Sequence, residues 1–194
     1  MSISLQKNAS VSLKKAGGEG LTNITLGVGW DVASGGILGG LFGGGGNSID
    51  LDASCIAFDG NRQVVDTVWF QQLLSRDGSI RHSGDNLTGE GDGDDETIAI
   101  DLTRLPSNIE TLVFTVNSFR GQTFDKVKNA FSRVVDSRAR KELARYDISE
   151  SGPHTGVVLA IVKRDGGEWT FKAIGERTTA RTVKDITTLA SQLI

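Results

Sequence analysis

Six carboxylates crowd into residues 83–96, which read Ser-Gly-Asp-Asn-Leu-Thr-Gly-Glu-Gly-Asp-Gly-Asp-Asp-Glu: Asp85, Glu90, Asp92, Asp94, Asp95 and Glu96. The nearest bases are Arg81 before the run and Arg104 after it. Two unit charges about 4 Å apart repel by roughly 4 kcal/mol at an effective dielectric near 20. A loop this acidic either stays extended in water or binds a cation. A dense set of oxygen ligands on a flexible loop suits calcium. The plain alternative is a solvated acidic turn. Two features weigh against it. The run is internal, and it passes at once into Thr97-Ile98-Ala99-Ile100-Asp101-Leu102, an alternating strand pattern. A second acidic pair, Asp50 and Asp52, sits in another strand-like segment, where a spacing of two puts both side chains on one face.

An EF-hand fails when tested position by position. Glu96 is twelfth from Asp85, as that loop requires, but positions 3, 5 and 6 are Leu87, Gly89 and Glu90. Nothing recurs at the fixed short period of the Gly-rich calcium repeats of β-helices. Other chemistries find less support. No Gly-Lys dipeptide exists, so there is no Walker A loop, and Gly43–Gly46 is not followed by a helix pattern. His82 and His154 are not in zinc spacing with Cys55, and no Gly-x-Ser-x-Gly elbow is present. Cys55 in an apolar strand reads as a buried small hydrophobe. His82 lies three residues before Asp85 and reads as a solvent-facing strand residue, with support of a metal site as the alternative. Trp30, Trp69 and Trp169 read as core. The base-rich stretch 120–145 reads as a solvated helix face, with docking of an acidic partner as the minority reading.

Around these residues the chain of 194 carries 25 glycines, two prolines and a net charge of −3. The acidic balance argues against a nucleic-acid surface, which needs clustered bases. One cysteine excludes an internal disulfide and fits a reducing compartment. The first residues show no apolar signal-peptide core, and no apolar stretch is long enough to span a bilayer. A cytoplasmic protein without a transmembrane segment is expected.

The elements that must position the acids read as strands. Residues 3–13 suggest a hairpin or a strand pair. Leu21–Val32 is a long strand with Ile24, Leu26, Val28 and Trp30 on one face. Further strands are expected at 49–58, 64–74, 97–102, 111–116, 143–148, 157–162 and 168–174. Residues 123–135 switch to helical spacing, as one amphipathic helix or a short helix running into a strand. Residues 178–194 read as a C-terminal helix. About nine strands separated by turn signals predict a mainly β fold, a sandwich of two antiparallel sheets with a few short helices. Residues 35–46 hold eight glycines in twelve positions, with Ile37, Leu38, Leu41 and Phe42 between them. This segment is expected to be a mobile loop, either a passive sticky patch or a contact for a partner.

Several motifs occur in order: Gly27-Val-Gly-Trp-Asp-Val32, Asp50-Leu-Asp-Ala-Ser54, the acidic run Gly84–Glu96 and Phe124-Asp-Lys-Val-Lys-Asn-Ala-Phe131. Leu143-Ala-Arg-Tyr-Asp-Ile-Ser149 and Trp169-Thr-Phe-Lys-Ala-Ile-Gly175 extend them. Together these resemble the TerD family of tellurium-resistance and general stress proteins. The resemblance implies a β-sandwich over residues 1–175 with a helical extension over 176–194. It departs from the family in the Gly-rich insert 35–46. It also implies a bacterial, cytoplasmic protein that binds calcium, more than one ion, and catalyses no reaction, in a setting of tellurite or chemical stress. The ligand positions that it implies are Asp31, Asp50, Asp52, Asp85, Asn86, Gly89, Glu90, Asp94, Asp95 and Glu96. Expected partners are calcium and proteins, including paralogues. Two other readings stand beside it: an assembly protein docking a partner or membrane complex through the Gly-rich loop, and an enzyme acting on an oxyanion. The enzyme would need a reactive cysteine pair or a redox cofactor, and the chain has a single cysteine.

Overall fold

The computed structural model describes residues 2–18, 20–32, 49–86, 93–148 and 152–194. Alternating apolar residues build two six-stranded sheets packed face to face. In chain order the strands are β1 (Ile3–Ser4), β2 (Ser10–Ser12), β3 (Asn23–Val32), β4 (Asp52–Phe58), β5 (Val64–Val68), β6 (Ile80–His82), β7 (Glu96–Asp101), β8 (Thr111–Asn117), β9 (Val127–Asp136), β10 (Lys141–Asp147), β11 (Gly156–Asp165) and β12 (Glu168–Thr178). Helix α1 (Leu13–Gly17) follows β2, a one-turn 3₁₀ helix (Phe124–Lys126) precedes β9, and α2 (Val183–Leu193) ends the chain. The first sheet runs β1-β10-β9-β3-β7-β6 and the second β2-β12-β11-β8-β4-β5. Among the described residues every strand pairing is antiparallel except β1 with β10. The mainly β sandwich expected from the turn-punctuated alternation is what forms.

The faces follow from the period-two pattern. Ile24, Leu26, Val28 and Trp30 of β3 all point into the core. They meet Ala53, Cys55 and Ala57 of β4 and Leu112, Phe114 and Val116 of β8. Strands β4 and β8 are buried at every residue, which simple alternation does not explain. The reason is α2. Its Val183, Ile186 and Ala190 cover the outward-facing Ile56, Phe58, Val113, Val158 and Ile174. Thr182 caps the helix: its hydroxyl oxygen accepts the Asp185 N–H at 3.2 Å and donates to the Asp185 carboxylate at 2.7 Å.

Three expectations change. The hairpin over 3–13 does not form, because β1 joins the first sheet beside β10 while β2 joins the second beside β12. The chain crosses between sheets at their edge, and α1, capped by Ser12, drives Leu13 into the core. The apolar run 64–74 is a strand only to Val68; Trp69 and Gln72 then pair across a turn. Residues 123–135 take the second of the two readings, a 3₁₀ turn running into a strand. A bulge explains the helical look. Asn129 and Ala130 face the single Trp30, which breaks the alternation, and Asn129 takes φ 51° to do so. The base-rich stretch 120–145 is therefore strand and turn, not a helix face. The Gly-rich segment 35–46 lies outside the described residues. Among the described residues no helix is long and apolar enough to cross a membrane.

Candidate metal centre

Four pieces of chain converge at one end of the sandwich: the approach to β4, the segment after β6, the entry to β7 and the turn after β8. Glu96, the first residue of β7, holds them together. Its register partner Val28 faces the core, so Glu96 also points inward and its side chain is fully buried. Its Oε2 accepts the Ala53 N–H at 2.7 Å, and its Oε1 accepts the Asn86 N–H at 3.0 Å. One carboxylate thus ties the start of β4 to the segment after β6.

His82 completes this anchor and corrects an expectation. It is not solvent-facing but buried. Its Nδ1 accepts the Gly84 N–H at 3.0 Å, which leaves Nε2 to donate. Nε2 lies 3.1 Å from the Ala53 carbonyl and 3.3 Å from Glu96 Oε2. The alternation of β6 and β7 carries the reason: His82 is the register partner of Ile98, an inward residue.

Against this frame sit Asp50, Asp52 and Asp85. One carboxylate oxygen from each lies within 4.8 Å of the others. Asp50 and Asp52 are buried, and Asp85 is exposed. Asp50 Oδ2 is 3.1 Å from Arg120 Nε. Asp50 Oδ1 is buried and has no hydrogen-bond partner among the described residues. Asp52 Oδ2 accepts the Phe119 N–H at 3.3 Å. Burial pushes the Asp52 carboxyl up to about 7, with the charges of Asp50 and Glu96 adding to it. Asp50 is raised by burial and by Asp85, against the pull of Arg120. Anionic oxygens are here packed closer than their own charges favour.

The other expected ligands are placed differently. Asn86 contributes its backbone N–H to Glu96 and its amide to Asp95, Nδ2 to Oδ1 at 3.3 Å. Asp95 Oδ2 accepts the Trp30 N–H at 2.8 Å. Burial raises the Asp95 carboxyl; the Trp30 N–H opposes this, and the charges of Asp31 and Asp94 reinforce it. Asp31 is exposed and accepts from Asn129 Nδ2 at 2.7 Å. Asp94 turns to the outer face of the first sheet. Arg133 grips both its oxygens, Nε to Oδ1 at 2.8 Å and Nη2 to Oδ2 at 3.1 Å, and also reaches Glu142 at 3.1 Å. Gly27 makes room for that carboxylate, since a Cβ there would collide with it. Gly89 and Glu90 lie outside the described residues.

Sequence reasoning did not pick out Phe119 or Gln122, whose side-chain oxygen accepts the Asp50 N–H at 3.1 Å, and read Arg120 only as part of the base-rich stretch, not as a neighbour of the acids. Their signal is register. Asp52 pairs with Asn117, so the turn after β8 must reach Asp50, but that pairing is invisible until the sheet order is known.

The donor set is all oxygen. Oxygens bound to one calcium at about 2.3–2.6 Å can be no more than roughly 5 Å apart. The spread of the three carboxylates meets that limit. A buried carboxylate oxygen without a partner is costly unless something neutralises it, and the Asp50 Oδ1 atom is in that position. The residues fit a hard divalent cation. The Cys55 thiol is buried and pushed far up by its apolar surroundings, as expected for a small core residue.

Comparison with known proteins agrees with this architecture. The TerD domain profile matches residues 1–189. The chain is 54% identical over 185 residues to tellurium resistance protein TerZ of Serratia marcescens, covering 95% of this chain and 94% of that one. It is 42% identical to stress response protein SCP2 of Bacillus subtilis, covering 96% and 98%. The crystal structure of a homologue of telluride resistance protein from Streptomyces coelicolor superposes with a TM-score of 0.70 at 22% identity, covering 88% of this chain and 98% of that one, which speaks to the fold. With matches over nearly its whole length, the chain belongs to the TerD family, whose members include tellurium-resistance and general stress proteins.

Proposed function

We propose that this protein is a calcium-binding, non-catalytic module of the cytoplasmic stress response, acting where tellurite or other chemical damage is resisted. One observation carries the calcium reading: carboxylate oxygens of Asp50, Asp52 and Asp85 meet within 4.8 Å, and a buried Asp50 oxygen has no partner among the described residues. In this reading those three acids are the central ligands. Glu96 frames them through the backbone of Ala53 and Asn86. Asp31 and Asp95, whose charges press on each other, offer oxygens for a further ion at the same end. The names of the relatives support the stress setting, and they name resistance and stress response, with no reaction among them.

Isothermal titration of chelator-treated protein with calcium and with magnesium tests the reading. Calcium should bind with clear heat and at least tenfold more tightly than magnesium, because magnesium needs near-octahedral geometry and gives up its water reluctantly. Equal, weak heats for both ions would contradict a calcium site.

A further inference from the structure

The turn after β8 carries a second finding. Gly121 N–H donates to the Ser118 carbonyl at 3.0 Å, closing a β-turn with Phe119 and Arg120 at its tip. The turn is well held. Ser118 N–H donates to the Thr155 carbonyl at 2.8 Å, and Arg181 Nη2 donates to the Phe119 carbonyl at 2.8 Å. Two further contacts go to the acidic centre: the Phe119 N–H to Asp52, and the Arg120 guanidinium to Asp50.

The two partners in that ion pair are unlike. The Asp50 side chain is 9% exposed and that of Arg120 is 56% exposed. A fixed, buried anion therefore faces a cation on a flexible, mostly solvated stem. Such an arginine regains its hydration when it swings into water, and the buried carboxylate that it leaves then needs another counter-charge. A divalent cation at the same carboxylate is the stronger counter-charge. A cation at the partnerless Oδ1 would sit on the same carboxylate as a positive guanidinium held 3.1 Å from Oδ2.

We propose that Arg120 is the resident counter-cation of the metal centre: it neutralises Asp50 when no metal is bound, and calcium must displace it. The inference rests on the calcium reading above and adds a residue that sets its affinity. Arg120 is thus neither a ligand nor a support for one. It is a tethered competitor that lowers apparent affinity and limits capture to higher calcium concentrations.

The test is calcium titration of wild type, Arg120→Ala, Arg120→Lys and Arg181→Ala. Arg181 lies against the same turn but contacts a carbonyl, so it controls for a general loss of positive charge. Arg120→Ala should bind calcium about tenfold more tightly, the order expected when a unit charge near a divalent ion is removed at the protein surface. Arg120→Lys should stay within about threefold of wild type, and so should Arg181→Ala. Two results would overturn the proposal while leaving the calcium site intact: unchanged or weaker binding in Arg120→Ala, or equal tightening in Arg181→Ala. If wild type and Arg120→Ala both fail to bind calcium, the site reading and this proposal fall together. If only Arg120→Ala binds, the competition is stronger than assumed and the proposal holds.

Discussion

Asp52 is the residue where charge and burial conflict most visibly. In the unfolded chain its carboxyl titrates near 3.8; in the fold it is held up to about 7 by burial and by Asp50 and Glu96. Between those values the folded chain keeps a proton that the unfolded chain has released. Raising the pH through the window therefore favours unfolding. The stability tied to the protonated carboxyl is complete below about pH 4 and gone above about pH 7. In chelator, melting temperature should fall between pH 5 and pH 8 more steeply in wild type than in Asp52→Asn. Identical slopes in the two proteins would show that Asp52 is not the strained group. Asp94 makes the opposite prediction. Its carboxylate is clamped by Arg133 and sits over Gly27, on the outer face of the first sheet. Asp94→Asn should cost about 1–2 kcal/mol in urea melts, with or without metal, because a half-buried, two-point ion pair is lost. A calcium-induced stabilisation that disappears in this variant would return Asp94 to the ligand set. The acids themselves were legible as a cluster from their density and spacing. Which of them face one another was not, since Asp94, Asp95 and Glu96 are sequence neighbours sent to three different places by the entry into β7.

At the scale of elements, alternation made β3 readable, with Ile24, Leu26, Val28 and Trp30 inward as expected. It failed where a second layer intervened. β4 and β8 show apolar residues on both faces because α2 lies over the outer one, a fact of tertiary packing that a local window cannot contain. It also failed at the β9 bulge, where one extra residue opposite Trp30 counterfeits a helical period. The α2 contact gives its own prediction. Ile186 is fully buried against the outer face of the second sheet. Ile186→Ala should destabilise by about 2–5 kcal/mol, the range for emptying a closely packed site. A loss below about 1 kcal/mol would mean that the helix rests loosely on the sheet. Gly175 marks a point of close approach: it takes φ 65°, and a side chain there would meet the Tyr146 ring. Gly175→Ala should lower the melt substantially, and an unchanged melt would contradict the tight packing of β12 on Tyr146.

As a whole, the molecule divides into a sandwich that folds on its apolar core and the proposed metal centre gathered at one end of it. The core strands do not need the ion, whereas the acids are held together against their own repulsion. A ligand that binds only the folded state stabilises it by about 2.7 kcal/mol at a hundred times its dissociation constant. The most direct measurement is a pair of thermal melts, in chelator and in excess calcium, for wild type and for Asp85→Asn, with circular dichroism as the signal. Asp85 is the exposed member of the three, so its substitution removes a ligand without opening the core. Wild type should keep its β signal in chelator and melt several degrees higher in calcium, while Asp85→Asn should lose most of that shift and match or exceed wild type in chelator. A wild-type melt that calcium does not move, or a full shift retained in Asp85→Asn, would contradict the assignment of these carboxylates as a calcium centre.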